Sequence, residues 1–295
     1  MRYLAFLFIF SIVACQSDKH MIVLQPEMDK SYWQKASTIA VLKQTIDGQN
    51  IDINTEYITD IKLEPKSVDK NEVVMQAQFR DLRFKVQSPF GRMGFDSKKI
   101  DSSDFAAVIF SRLNLTPFQV TFQTNGRVKN IDGIDNVMQN AFAAVQMSPG
   151  QQAEVRRMLD DVYGYEALTS HLEMSVAVLP KKPVAVGESW SYSAPYHSNV
   201  KGMANHTYTL KTANKNGYII EGKSTLKPDK EHQGKNRYDI NGEMRSYFKV
   251  EPETGWISSG VIDMNFEGTI YAQNPDGGET AVPVSMNGKI EIRSE

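Results

Sequence analysis

The chain has 295 residues, 41% of them hydrophobic and 10% aromatic, and carries a formal net charge of −2. That composition excludes a disordered or collagen-like chain, and the near-balanced charge, without long single-sign runs, points away from nucleic acid or an anionic membrane surface as partner. A single cysteine, Cys15, excludes an internal disulfide, so packing must stabilise the fold.

In chain order, Arg2 precedes an almost wholly apolar run from Leu4 to Val13 and the small Ala14, which is the order of a secretory signal. The run is too short to span a bilayer. Ile12-Val13-Ala14-Cys15 resembles the bacterial lipobox, which implies cleavage before Cys15, acylation of its thiol and a signal peptide over 1–14. One acyl chain holds only marginally at about 0.8 kcal/mol per buried methylene, whereas two or three hold firmly. With Gln16 rather than aspartate next, the resemblance implies an outer-membrane address, at the periplasmic face or the cell surface. Residues 15–35 are mostly polar and read as a lipidated tether, although Met21 to Leu24 and Trp33 can dock on the body that follows over 36–295.

Patterning divides that body into an N-terminal β part with a short helix (36–133), a helical middle (134–178) and a C-terminal antiparallel sheet (179–295). In "NEVVMQAQFRDLRFKVQ", Val73, Met75, Ala77 and Phe79 share one parity while Leu82, Phe84 and Val86 share the other, so a bulge is expected near Arg80-Asp81. "SDFAAVIFSRL" reads as a short helix capped by Ser102 or Ser103, with Phe105, Val108, Ile109 and Leu113 on one face. Ile134, Val137, Met138, Ala141, Phe142 and Val145 continue the helical spacing. "SPGQQAEVRRMLDDVYG" follows, with Ser148 as cap, Pro149 at the first position, a stripe of Val155, Met158, Leu159 and Val162, and Gly164 as the stop. "EALTSHLEMS" adds a further turn or two.

The last third alternates with a period of two. Ile240, Gly242, Met244, Ser246, Phe248 and Val250 form one apolar face; Trp256, Gly260, Ile262, Met264, Phe266, Gly268 and Ile270 continue it; Val282, Val284, Met286, Gly288, Ile290 and Ile292 complete it. Three long strands joined by "EPETG" and "NPDGGE" make an antiparallel meander. Glycines on the apolar parity mark bends or close approaches, and a sheet so curved wraps a helix, closes on itself or leaves an apolar trough. The expected class is therefore α+β, mainly β, with long curved antiparallel strands before and after a helical segment. "PFQVTFQTNGRV" (117–128) and "YFKVEPETGWI" (247–257) read alike, as a strand–turn–strand unit that occurs by duplication or by ordinary recurrence of hairpins.

"LPKKPVAVGESWSYSAP" (179–195), together with the lipobox, "TNGRVKNIDGI" and the run from Gly242 to Gly255, resembles a family of secreted bacterial lipoproteins of unknown function, the domain numbered 6263. The resemblance implies an envelope address and a β-rich fold, and no characterised activity, so no catalytic residue is carried over. The residues add none. Gly187-Glu188-Ser189-Trp190-Ser191 departs from the nucleophile elbow Gly-x-Ser-x-Gly at Ser191, and no helix follows. His197 and His206 can face each other across a hairpin, but two imidazoles do not complete a zinc site. Asp160-Asp161 and Asp101 to Asp104 suit helix ends better than acid–base work. No cofactor and no metal are expected.

The favoured reading is a non-catalytic, lipid-anchored envelope protein that binds a hydrophobic or extended ligand, a lipid or a peptide, on a face formed by Met244, Met264, Met286, Phe248, Phe266 and Trp256, since thioethers adapt to irregular partners. Ordinary core is the alternative for those methionines. The other readings are an accessory subunit docking on an envelope protein through a sheet edge or through Tyr32 and Trp33, and a hydrolytic enzyme with a polar cleft around His197.

Overall fold

A computed structural model describes residues 18–46, 48–99, 105–143, 145–198, 201–228, 237–273 and 277–294. The short β1 (Lys19–His20) is followed by β2 (Tyr32–Ile46), β3 (Gln49–Val68), β4 (Glu72–Ser88), β5 (Gly91–Asp96) and α1 (Phe105–Arg112). Next come the hairpin of β6 (Phe118–Gln123) and β7 (Val128–Asp132), then α2 (Ile134–Phe142), α3 (Pro149–Tyr163) and α4 (Tyr165–Val176). The chain continues through β8 (Val184–Ala185), β9 (Ser189–His197), β10 (Lys201–Asn214), β11 (Gly217–Pro228), β12 (Arg237–Val250), β13 (Ile257–Gln273) and β14 (Glu279–Ser294).

The large sheet runs β7-β6-β4-β3-β2-β14-β13-β12-β11-β10-β9, with β5 beside β4. All pairs are antiparallel, and the two meanders join where β14 pairs with β2, placing Ile290 opposite Thr38. The class is thus α+β and mainly β, with the helical segment between N- and C-terminal strands. The alternation carries this directly: Ile240, Met244, Phe248, Ile262 and Phe266 are buried, whereas Glu243, Arg245 and Asp263 face solvent. In β4, Asp81 stands opposite Asp60 and Phe79 opposite Ile61, so Arg80 is the extra residue of the anticipated bulge, and Phe79 and Leu82 both point inward. The inward glycines are close approaches: a Cβ on Gly260 would lie 2.6 Å from the Phe248 ring, and one on Gly242 would collide with Phe266.

Ser148 and Gln151 form the capping box of α3. Gly164 ends that helix in an extended conformation, φ −65°, and α4 begins at the next residue. The "turn or two" expected after it is a helix of 12 residues, because Ala167, Leu168, Leu172 and Val176 give it a buried stripe of its own. The stripe of α1 is shifted: Phe105 is exposed, while Phe110 is buried and stacks on Phe95. Ser102 and Ser103, the anticipated caps, lie outside the described residues.

The stretch expected to be a tether docks from Lys19 onward. Ile22 and Leu24 are buried, β1 pairs with β8, and the Tyr32 and Trp256 rings pack 4.6 Å apart. The Leu24 amide donates to the Thr124 carbonyl at 2.7 Å and the Gln25 amide to that of Thr254 at 2.8 Å. The turns of the two similar segments therefore sit side by side under one strand-like strap, each turning on a left-handed glycine, Gly126 (φ 82°) and Gly255 (φ 64°). This strap closes one end of the curved sheet.

Candidate functional site

The concave face of the sheet holds the helices, and α4 lies against it from β9 and β7 toward β13. Beneath α3 and α4 the facing strand, β2, presents Ala36, Thr38 and Ala40, with Gly288 opposite Ala40 and Thr59 opposite Ala36. Side chains this small do not reach the helices, and a cavity of about 90 Å³ remains. That is room for several waters or a stretch of alkyl chain. Ile262, Met264, Met286 and Ile290 complete its floor, and Val162, Leu172 and Met174 its roof.

Polar groups stand at both ends. At the deep end, buried Gln34 and Ser175 bond to each other: Ser175 Oγ donates to Gln34 Oε1 (3.2 Å), and Gln34 Nε2 donates to the Ser175 carbonyl (3.4 Å). At the mouth lie half-buried Ser198 and the exposed carboxylate of Asp161. His171 projects from α4 into the same space, and burial pushes its imidazole down to about 4, so it is neutral at neutral pH. The Tyr196 hydroxyl, 4.0 Å from Met264 Sδ, is pushed up to about 12 by burial. On the rim, Glu166 of α4 pairs with His197 Nδ1 (2.9 Å) and Lys201 (3.9 Å), tying the helix to β9 and β10.

A second polar cluster lies beside the cavity and outside it. Arg127 Nε donates to Glu173 Oε1 at 2.7 Å, the Val128 amide donates to the same oxygen at 3.2 Å, and the guanidinium sits 4.6 Å from the centre of the Tyr192 ring. The two edge strands, β7 and β9, are thereby latched to α4. His206 Nδ1 lies 2.8 Å from Ser224 Oγ within the same core, and burial, then the nearby Arg127 charge, push its imidazole down to about 4. This Ser–His pair does not line the cavity.

Of the six residues expected to form the ligand face, Met264 and Met286 line the cavity. Met244 is buried opposite Met264. Phe248 lies against Tyr208, Phe266 against Tyr196, and Trp256 against Tyr32 at the closed end. Cys15 and the cleavage motif Ile12, Val13 and Ala14 lie outside the described residues. His197 and His206 do not face each other as anticipated: His197 pairs with Lys201 and His206 with Tyr192. Among the described residues no group of three metal-ligating side chains occurs. Ser189 opens strand β9, and its hydroxyl bonds Thr209 Oγ1 at 2.8 Å. Tyr32 is buried, so it is not a free docking anchor, and Trp33 lies half-buried under Arg80, 4.2 Å from its ring.

Sequence reasoning missed Gln34, Thr59, His171 and Ser175. The small-residue alternation Ala36-x-Thr38-x-Ala40 was the available signal, because it marks an inward face too slight to fill the space in front of it.

The class of protein is then a curved antiparallel sheet wrapped around a helical insert, with a mixed apolar and polar cavity between them. The chain belongs to a family of unknown function, DUF6263, whose profile matches residues 70–257, more than half of its length. No curated protein matches it. Among solved structures, lipovitellin, in a structure of its lipid–protein interactions, aligns over 91% of this chain with 10% identity and a TM-score of 0.50. The chain spans only 25% of that protein. An outer membrane channel from Pseudomonas putida F1 aligns over 96% of this chain and 98% of its own (6% identity, TM-score 0.27). A DUF1329 family protein from Desulfovibrio piger aligns over 88% and 85% (9% identity, TM-score 0.16). At these identities the lipovitellin likeness is one of fold alone, and the other two scores are too low to show a shared fold. No helix among the described residues is long and apolar enough to cross a membrane.

Proposed function

We propose that the protein is a non-catalytic binding protein of the bacterial envelope that holds a hydrophobic ligand between its concave sheet and α3–α4, and that it is anchored to the outer membrane by lipid on Cys15. The observation that carries the reading is the cavity under the helices. Interiors pack to the density of organic crystals, and a space of this size with a largely apolar wall loses contacts that a Leu or Phe at Ala36 or Ala40 would restore. A chain retaining small residues there keeps a space that something else fills. The fold shared with lipovitellin, a protein whose structure concerns its lipid–protein interactions, is in keeping with this.

The test uses the full chain with Cys15→Ser, purified from a bacterial periplasm without detergent and measured by native mass spectrometry with solvent extraction. A stoichiometric apolar passenger that is absent from Ala40→Leu is the expected result. An empty, compact wild-type cavity overturns the reading. For the anchor, Cys15→Ser is expected to release the protein from membranes, and a variant that stays bound without acyl chains removes Cys15 as its cause.

A further inference from the structure

We propose that the cavity takes the chain of an uncharged amphiphile, one ending in a hydroxyl or amide, and discriminates against the same chain ending in a carboxylate or phosphate. The inference rests on the binding reading above and adds the class of ligand. Its ground is the charge of the lining. Gln34, Thr38, Thr59, Ser175 and Ser198 are all neutral hydrogen-bonding groups, and none of the described lining residues is a lysine or an arginine. His171 adds a neutral imidazole. Of the cations on the surrounding elements, Lys201 pairs with Glu166 on the rim and Arg127 with Glu173 in the latch.

The orientation of the ligand does not change the outcome. A head group at the deep end is buried against Gln34 and Ser175, which offer hydrogen bonds and no counter-charge, and those bonds alone do not offset the lost hydration of a buried anion. A head group at the mouth meets the Asp161 carboxylate, a like charge. A hydroxyl or amide avoids both costs, because rotatable hydroxyls on Thr38, Thr59, Ser175 and Ser198 serve as donors or acceptors. Sites for anionic lipids and phosphates place Arg, Lys or helix N-terminal amides at the head group.

The probes are dodecan-1-ol and dodecanoate, equal in chain length, each displacing the neutral dye Nile red at pH 7.5 from the delipidated full chain carrying Cys15→Ser. Dye that Ala40→Leu no longer binds is counted as the cavity fraction. Dodecan-1-ol is expected to displace that fraction at a concentration at least about tenfold lower, the equivalent of about 1.4 kcal/mol. Asp161→Lys replaces the exposed carboxylate at the mouth with a cation and is expected to narrow the gap severalfold. Equal displacement, or dodecanoate the stronger, overturns the discrimination and leaves hydrophobic binding standing. A gap unchanged by Asp161→Lys overturns the part assigned to Asp161 at the mouth. Uptake of neither probe sinks the binding reading, and this inference with it.

Discussion

The two ends of the concave face are built from the same strands in the same alternation, and they do opposite things. At the closed end Tyr32, Trp256 and Leu24 are buried to 2% exposure or less, and the strap of residues 22–25 seals the sheet. Further along the same strands the inward positions of β2 and β14 are Ala36, Thr38, Ala40 and Gly288, and the helices bridge over a space. Parity decides which side chains face inward; volume decides whether they meet. Stability and binding are therefore assigned to different stretches of one sheet, and substitutions at the two ends should separate them.

The largest effect is expected at the latch. Glu173→Ala leaves the Arg127 guanidinium in a largely buried site without its carboxylate, which costs about 3–5 kcal/mol when one partner of a buried pair is removed. Thermal unfolding measures it, and a melting temperature unchanged within a degree would show that the edge strands hold without α4. Leu24→Ala comes next, at about 2–5 kcal/mol for a buried leucine truncated in a packed region. A true tether would lose nothing, so denaturant unfolding of this variant measures directly how much the strap contributes to the closed end.

The strap looks like a tether in sequence for a physical reason. Residues 15–35 have no sustained period, and the strap that buries Ile22 and Leu24 docks by backbone bonds from Leu24 to Thr124 and from Gln25 to Thr254, which are remote in sequence. Tertiary pairing of this kind leaves no local trace. The long strands were legible because each buries only one face, so Met244, Met264 and Met286 all fall on the inward parity. Which of them reaches a cavity was not legible: Met244 and Met264 are cross-strand partners, yet only Met264 lies under α4. His171 was hidden for the same reason, since its role depends on where α4 lands and not on its neighbours in the chain. The Arg80 bulge, in contrast, is a change of parity within one strand and could be read outright.

Acid should weaken the latched region next. His206 is buried and its imidazole is held down to about 4, by burial first and by the Arg127 charge second. The unfolded chain takes up that proton near pH 6.5, so between about 6.5 and 4 the unfolded state binds more protons and stability falls as pH falls. Below about 4 both states are protonated and the loss levels off. The full loss from His206 is on the order of 3 kcal/mol, and His171 acts in the same direction. Chemical denaturation at pH 7 and pH 5, repeated with His206→Gln, checks it: the pH dependence should shrink in the variant, and an equal dependence would show that His206 does not carry it.

The smallest effect on stability is expected to accompany the largest effect on binding. Ala40→Leu adds three carbons at a position whose inward neighbours are Gly288 and the flexible end of Met264, so the added volume enters the cavity rather than a packed wall. Overpacking a filled core costs about 1–3 kcal/mol, and filling a void offsets much of this by restoring dispersion contacts, so a net change within about 1 kcal/mol is expected. The same group occupies the floor on which an alkyl chain would lie. Near-wild-type unfolding with loss of Nile red uptake would place binding in the small-residue stretch and stability at the aromatic end. If Ala40→Leu unfolds as readily as Leu24→Ala, the space beneath α4 is already packed when the protein is in solution, and the contrast between the two ends fails.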